Sequence, residues 1–161
     1  MKVRHSKRRG FSLIELLIVV TIILIIAAIA IPNLIRNKIQ ANETAAVGTM
    51  RTLNESVLLY SNSYGGFPHG ISELGPGTGG AASSGAADLV DSVLAGGVKS
   101  GYRYAYAAVA TDPAGNVLSY TITATPVVPG SSGQRSFFTD QSGTIRSTAT
   151  GTADSTSQPL G

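Results

Sequence analysis

From Phe11 to Ile31 the chain is apolar at every position except Ser12, Glu15 and Thr21. A small water-soluble domain has no means of covering all sides of such a run. As a helix rising about 1.5 Å per residue it covers about 30 Å, the thickness of a bilayer's hydrocarbon core. Basic residues flank it on one side only: Lys2, Arg4, Lys7, Arg8 and Arg9. By the positive-inside rule the N-terminus stays cytoplasmic and everything beyond the run lies outside. The same five residues set the charge balance. With 12 Lys and Arg against 9 Asp and Glu the formal charge is +3, yet beyond residue 10 the acidic side chains are in the majority. The pattern points to membrane and export, and no basic patch remains to bind a nucleic acid. The chain has no cysteine, which excludes disulfides, thiolate catalysis and cysteine-based metal sites.

Three readings of this segment compete. An ordinary secretory signal peptide would use the A-x-A site at Ala28-Ile29-Ala30, although the apolar run is longer than usual for one. A plain single-pass anchor leaves Glu15 without a reason. A carboxylate at mid-membrane costs roughly 2.5–3.5 kcal/mol on insertion scales, less near the interface. The third reading uses every feature. Lys7-Arg8-Arg9-Gly10-Phe11-Ser12-Leu13-Ile14-Glu15, continued through Leu16-Leu17-Ile18-Val19-Val20 and Ala27-Ala28-Ile29-Ala30-Ile31-Pro32, resembles the processing motif of type IV prepilins and type II secretion pseudopilins.

The resemblance covers the first third of the chain and implies a definite course of events. A prepilin peptidase removes residues 1–10 as a basic leader, cutting after Gly10. Phe11 becomes the new N-terminus and is N-methylated, and Glu15 aligns the incoming subunit during assembly. The implied partners are copies of this chain or related pilins, the peptidase, an assembly platform and inner-membrane lipid before assembly. No cofactor, metal or catalytic role is implied. The implied location is the bacterial inner membrane, N-terminus cytoplasmic, and afterwards an extracellular pilus or a periplasmic pseudopilus.

Physical reasons accompany these residues. Gly10 has no side chain, so its backbone can approach a peptidase closely. Glu15 lies one helical turn from Phe11 and can neutralise its own amine, or in a filament that of the next subunit. The plainer alternative places Glu15 at headgroup depth, near the positive end of the helix dipole.

Pro32 removes an amide proton and bends or locally opens a helix. The helix is nevertheless expected to continue. Ile35, Ile39, Ala46, Met50, Leu53, Val57, Tyr60 and Tyr64 recur at helical spacing, and Gly65-Gly66 and then Pro68 stop the pattern. Residues 11–32 thus read as the membrane and assembly half of a long helix, and 33–64 as its amphipathic stalk half. Together they would extend about 80 Å. Gly48 within the stripe weakens the helix by roughly 1 kcal/mol relative to Ala.

Residues 65–161 read as a head. Phe67 to Leu74 is a loop and a short helical turn, and Gly75 to Gly85 is a flexible Gly-rich loop. Asp88 to Ala95 is expected as a short helix begun near Ser84 or Asp88 and ended by Gly96-Gly97. Tyr102, Tyr104, Tyr106 and Val109 mark one strand and Val117 to Thr125 a second, joined by the turn residues Asp112-Pro113-Ala114-Gly115-Asn116. Arg135 to Thr139 and Thr144 to Ser147 form a hairpin around Asp140-Gln141-Ser142-Gly143. The expected fold is α+β and pilin-like, a long N-terminal helix packed on an antiparallel sheet of 3–4 strands. Many pilins close a C-terminal loop with a disulfide. This chain cannot, so the tail from Thr148 to Gly161 is expected to be flexible.

Catalytic and ligand readings are weak. Gly75-Pro76-Gly77-Thr78-Gly79-Gly80 matches a dinucleotide fingerprint formally, but follows no strand and includes a proline. Gly130-Ser131-Ser132-Gly133 lacks the spacing of a nucleophile elbow. His5 is in the leader, and His69 reads as a solvated loop residue. Asp88 with Asp91, or Asp112 with Asp140, are the nearest thing to a calcium site, without the dense acidic loop that one uses. The tyrosines read as sheet core. The leading function is a structural subunit of a type IV pilus or pilus-like filament. A type II secretion pseudopilin is the first alternative, and a secreted or membrane-tethered binding protein with an ordinary signal peptide is the second.

Overall fold

In the computed structural model, residues 11–77, 79 and 81–160 are described. The chain divides into two compact units, the first ending at Asn37 and the second beginning at Lys38. One secondary-structure element crosses that boundary, the helix α1 over Leu13–Tyr64.

In the first unit α1 does what its sequence dictates. Its backbone is satisfied within the helix, and Thr21 turns its hydroxyl back onto the Leu17 carbonyl at 2.8 Å. Its side chains are not covered: from Phe11 to Asn37 all are exposed except the half-buried Ala27. By length and composition α1 can cross a membrane. Pro32 lies inside it, and the helix continues beyond.

The second unit is a helix laid against a sheet. Ile39, Ala46, Met50, Leu53, Val57 and Tyr60 of α1 are buried, as the stripe predicts. Ile35 and Tyr64, at the ends of the stripe, are exposed. The buried face also includes Glu43, Thr49, Asn54 and Ser56, polar residues that an apolar periodicity cannot register. Gly65 ends α1 with φ +81°, a left-handed conformation that glycine adopts without strain.

A 3-10 helix follows over Ile71–Leu74, then the helix α2 over Ser92–Ala95. The expected helix from Asp88 is shorter than anticipated. Asp88 itself has φ +53°, which helical backbone does not allow. The start is instead at Asp91, whose carboxylate accepts from the Leu94 amide at 2.9 Å. Residues 87–90 run beside the 3-10 helix, with Ala87 donating to the Glu73 carbonyl and Leu89 to that of Leu74, both at 2.8 Å.

The sheet has six antiparallel strands in sequential order, not three or four: β1 (Val98–Lys99), β2 (Tyr102–Thr111), β3 (Val117–Pro126), β4 (Ser136–Asp140), β5 (Arg146–Thr148) and β6 (Gln158–Pro159). The two additional strands, β1 and β6, have two residues each, too few to show an alternation. The β2–β3 register sets Tyr104 opposite Ala124 and Tyr106 opposite Ile122, with an irregularity near Ala108–Ala110. Tyr102, Tyr104 and Tyr120 are buried in the core with Leu74 and Phe137, and the Tyr106 and Tyr120 rings stack at 5.5 Å. Gly133 passes so close to Tyr102 that a Cβ there would collide with its hydroxyl.

The tail, expected to be flexible, is tied down. Gln158 and Pro159 pair with Ser147 and Arg146, and Leu160 donates to the Ile145 carbonyl at 2.8 Å. Ser136 Oγ donates to the Gly151 carbonyl at 2.7 Å and accepts from the Ala153 amide at 2.9 Å.

Polar contacts fix how α1 meets the sheet. Glu43 Oε1 accepts from the Gln134 and Arg135 amides at 2.9 and 3.1 Å, and Oε2 from Arg135 Nε at 2.8 Å. Asn42 donates to the Ser132 carbonyl at 2.8 Å. Burial pushes the Glu43 pKa up, but the hydrogen bonds from Gln134 and Arg135 outweigh it and hold the group below its ordinary 4.5. A depressed carboxyl pKa contributes stability above the unfolded-state value and loses it as pH falls through the folded-state value. The full chain in non-ionic micelles should therefore lose stability to denaturant progressively below pH 4.5. Glu43→Gln should be less stable at neutral pH and should flatten that acid limb.

Candidate functional site

The N-terminal end of α1 carries the residues that the sequence singles out. Ser12 immediately precedes the helix, and its carbonyl accepts from the Leu16 amide at 3.2 Å. The Glu15 side chain turns back, and Oε2 accepts from the Ser12 amide at 2.9 Å. This is the carboxylate half of a capping box: an acidic residue at the third helical position satisfies a backbone donor left free by the helix start. It also sets the negative charge against the positive end of the helix dipole. The signal was present in the sequence as Ser12-Leu13-Ile14-Glu15, a pattern of S-x-x-E before an apolar run.

Chemically, the carboxylate is held at the N-terminal face of the helix rather than swung along its flank. There it faces the side from which Phe11 enters, and Phe11 is itself 81% exposed. Gly10, with the rest of residues 1–10, lies outside the described residues. Pro32 has no N–H to give the Ala28 carbonyl, which breaks the run of helical hydrogen bonds within the apolar stretch.

The other candidates are occupied locally. His69 is exposed, with Nδ1 3.7 Å from Glu73 Oε1. Asp91 caps α2 and meets Lys99 Nζ at 2.6 Å. Asp112 accepts from the Asn116 amide and from Asn116 Nδ2, both at 2.8 Å, and closes the β2–β3 turn. Asp140 accepts from the Ser142 amide at 2.9 Å in the β4–β5 turn. Among the described residues no three His, Asp or Glu side chains converge as metal ligands. Of the Gly75–Gly80 segment, Thr78 and Gly80 lie outside the described residues, and Gly75 follows the 3-10 helix. Ser132, in the 130–133 segment, exchanges hydrogen bonds with Val128 and closes a turn.

Comparison with known proteins bears on the same end of the chain. Residues 5–31 match the family model described as the prokaryotic N-terminal methylation motif. The chain is 36% identical over 55 residues to the type II secretion system core protein G of Escherichia coli K12, which covers 34% of this chain and 38% of that protein. It is 47% identical over 49 residues to the type IV major pilin protein PilA of Myxococcus xanthus, covering 30% and 22%. It is 42% identical over 59 residues to the type IV wide pilus major component PilA4 of Thermus thermophilus, covering 35% and 45%. The chain spans less than half the length of these relatives. A methylation-motif match over residues 5–31 and relatives of both kinds, joined to a long N-terminal helix and an antiparallel sheet, make the N-terminal third of this chain similar to type IV pilins and type II secretion pseudopilins.

Proposed function

We propose that the chain is a structural, non-catalytic subunit of a type IV pilus or pilus-like filament. The observation that carries this reading is the uncovered apolar surface of α1 from Phe11 onward, opened by a single carboxylate at its first turn. Lipid covers that surface in the precursor, and copies of this chain cover it in the filament. Residues 1–10 are the leader that a prepilin peptidase removes after Gly10, and Phe11 is then N-methylated. Residues 11–32 anchor the precursor in the inner membrane, N-terminus cytoplasmic, and later form the filament interior. Residues 33–64 join that half of the helix to the head formed by 65–161. Pro32 supplies a place where the helix opens during packing.

Glu15 then exchanges partners. In the single chain it caps its own helix. In the filament the methylated amine of a neighbouring Phe11 offers a charge-assisted bond that offsets the desolvation of the carboxylate. A second reading, a pseudopilin of a type II secretion system, draws on the likeness to core protein G of that system. Deleting the gene separates the two: lost surface filaments support the pilus, and failed secretion with filaments intact supports the pseudopilus.

Intact-mass and N-terminal analysis of the protein from its native host should find a chain beginning at Phe11 with one additional methyl group. A chain beginning at Ile31 would mean an ordinary signal peptide and would end the filament reading. Glu15→Ala should still be cleaved and methylated, but its filament yield should fall by roughly tenfold or more, as the loss of one charge-assisted bond implies. Unchanged yield would leave Glu15 as a helix cap only.

A further inference from the structure

A cleft in the second unit has a chemistry that the filament reading does not use. It has a volume of about 280 Å³ and is walled by the rings of Tyr60, Tyr64 and Phe67, with Glu73 set among them. Tyr60 and Tyr64 belong to the last turns of α1, and their ring centroids are 4.7 Å apart. Phe67 is held edge-on to Tyr120 at 4.9 Å. The ring walls are therefore braced by the core.

The Glu73 carboxylate is fixed as well. Oε2 accepts from the His69 amide at 2.9 Å and from the Tyr60 hydroxyl at 3.3 Å. The Tyr60 hydroxyl also lies 2.7 Å from the Ser84 carbonyl, and burial together with the Glu73 charge pushes its pKa up to about 12, so it stays a donor. Oε1 is left with His69 Nδ1 at 3.7 Å, beyond hydrogen-bond distance. Among the described residues neither Lys nor Arg lines the cleft.

We propose that this cleft binds an alkylammonium group. Aromatic faces and a carboxylate both attract a cation. The volume suits a choline-sized head group or the end of a lysine side chain. The two share the charged nitrogen and differ in whether it carries protons. Oε1 can accept from a primary ammonium, whereas the ring walls suit a methylated one.

The test is an NMR titration of the full chain in maltoside micelles, which contain no ammonium groups. The probes are choline, tetramethylammonium, methylammonium and 3,3-dimethylbutan-1-ol, the neutral isostere of choline. The expected result is saturable shifts of Tyr60, Tyr64 and Phe67 resonances with the cations and none with the alcohol. Tighter binding of methylammonium identifies a lysine-type ligand, and tighter binding of the quaternary ions a choline-type one. Glu73→Gln should weaken binding by about tenfold, and Tyr64→Leu, at an exposed wall, by about fivefold with the head's spectrum otherwise preserved. Absence of saturation up to about 100 mM of any cation overturns the proposal. So do equal binding of the alcohol and choline, or unchanged affinity in both variants.

Discussion

A helix satisfies its own backbone but not its side chains, and between Phe11 and Ile31 those side chains are apolar and uncovered. Water is a poor solvent for such a surface, at roughly 25 cal/mol for each Å² exposed. Two kinds of surroundings would relieve it: lipid, or apolar protein surface. The polar positions are compatible with either. Thr21 has folded its hydroxyl onto the helix, and Glu15 has spent its charge on the helix start. The segment thus presents few polar side chains without partners.

Beyond Lys38 the same helix obeys a different rule. Apolar packing of Met50, Leu53 and Val57 on Tyr102, Tyr120 and Phe137 is strong but not directional. Direction comes from polar residues on the buried face. Glu43 holds the segment before β4, and Asn54 donates to Thr139 on β4 at 2.9 Å while accepting from the Tyr120 hydroxyl at 3.3 Å. Ser56 donates to the Leu89 carbonyl at 3.3 Å, which fixes the segment before α2. Each contact ties a different part of the sheet or its approaches to one position on the helix, and a slip of either partner would strand a buried polar group.

Much of this was legible in the sequence, and what was not has identifiable causes. The helix through Pro32, its end at Gly65, the long strands β2 and β3 and the β4–β5 hairpin all follow from periodicity and turn chemistry. β1 and β6 are too short to have a period, and they form because longer neighbours offer them an edge. Glu43 and Asn54 escape an apolar stripe because their partners lie some 66 to 92 residues away in sequence. Asp88 resembled a helix start by composition, but its backbone is bound to the turn formed by Leu74 and Gly75. Glu15 was conspicuous as a charge in an apolar run. Its local role as a cap is written in the spacing to Ser12.

The manner in which the tail is closed has a consequence for how the molecule can be made. Residues 151–160 are joined to β4 and β5 by main-chain and hydroxyl hydrogen bonds, in a chain with no sulfur bridge available. Closure therefore needs no oxidant and no disulfide isomerase, and it cannot be trapped in a wrong pairing. Every bond in it forms and breaks reversibly, so maturation of the head proceeds at the speed of chain folding and is indifferent to the redox state of its surroundings.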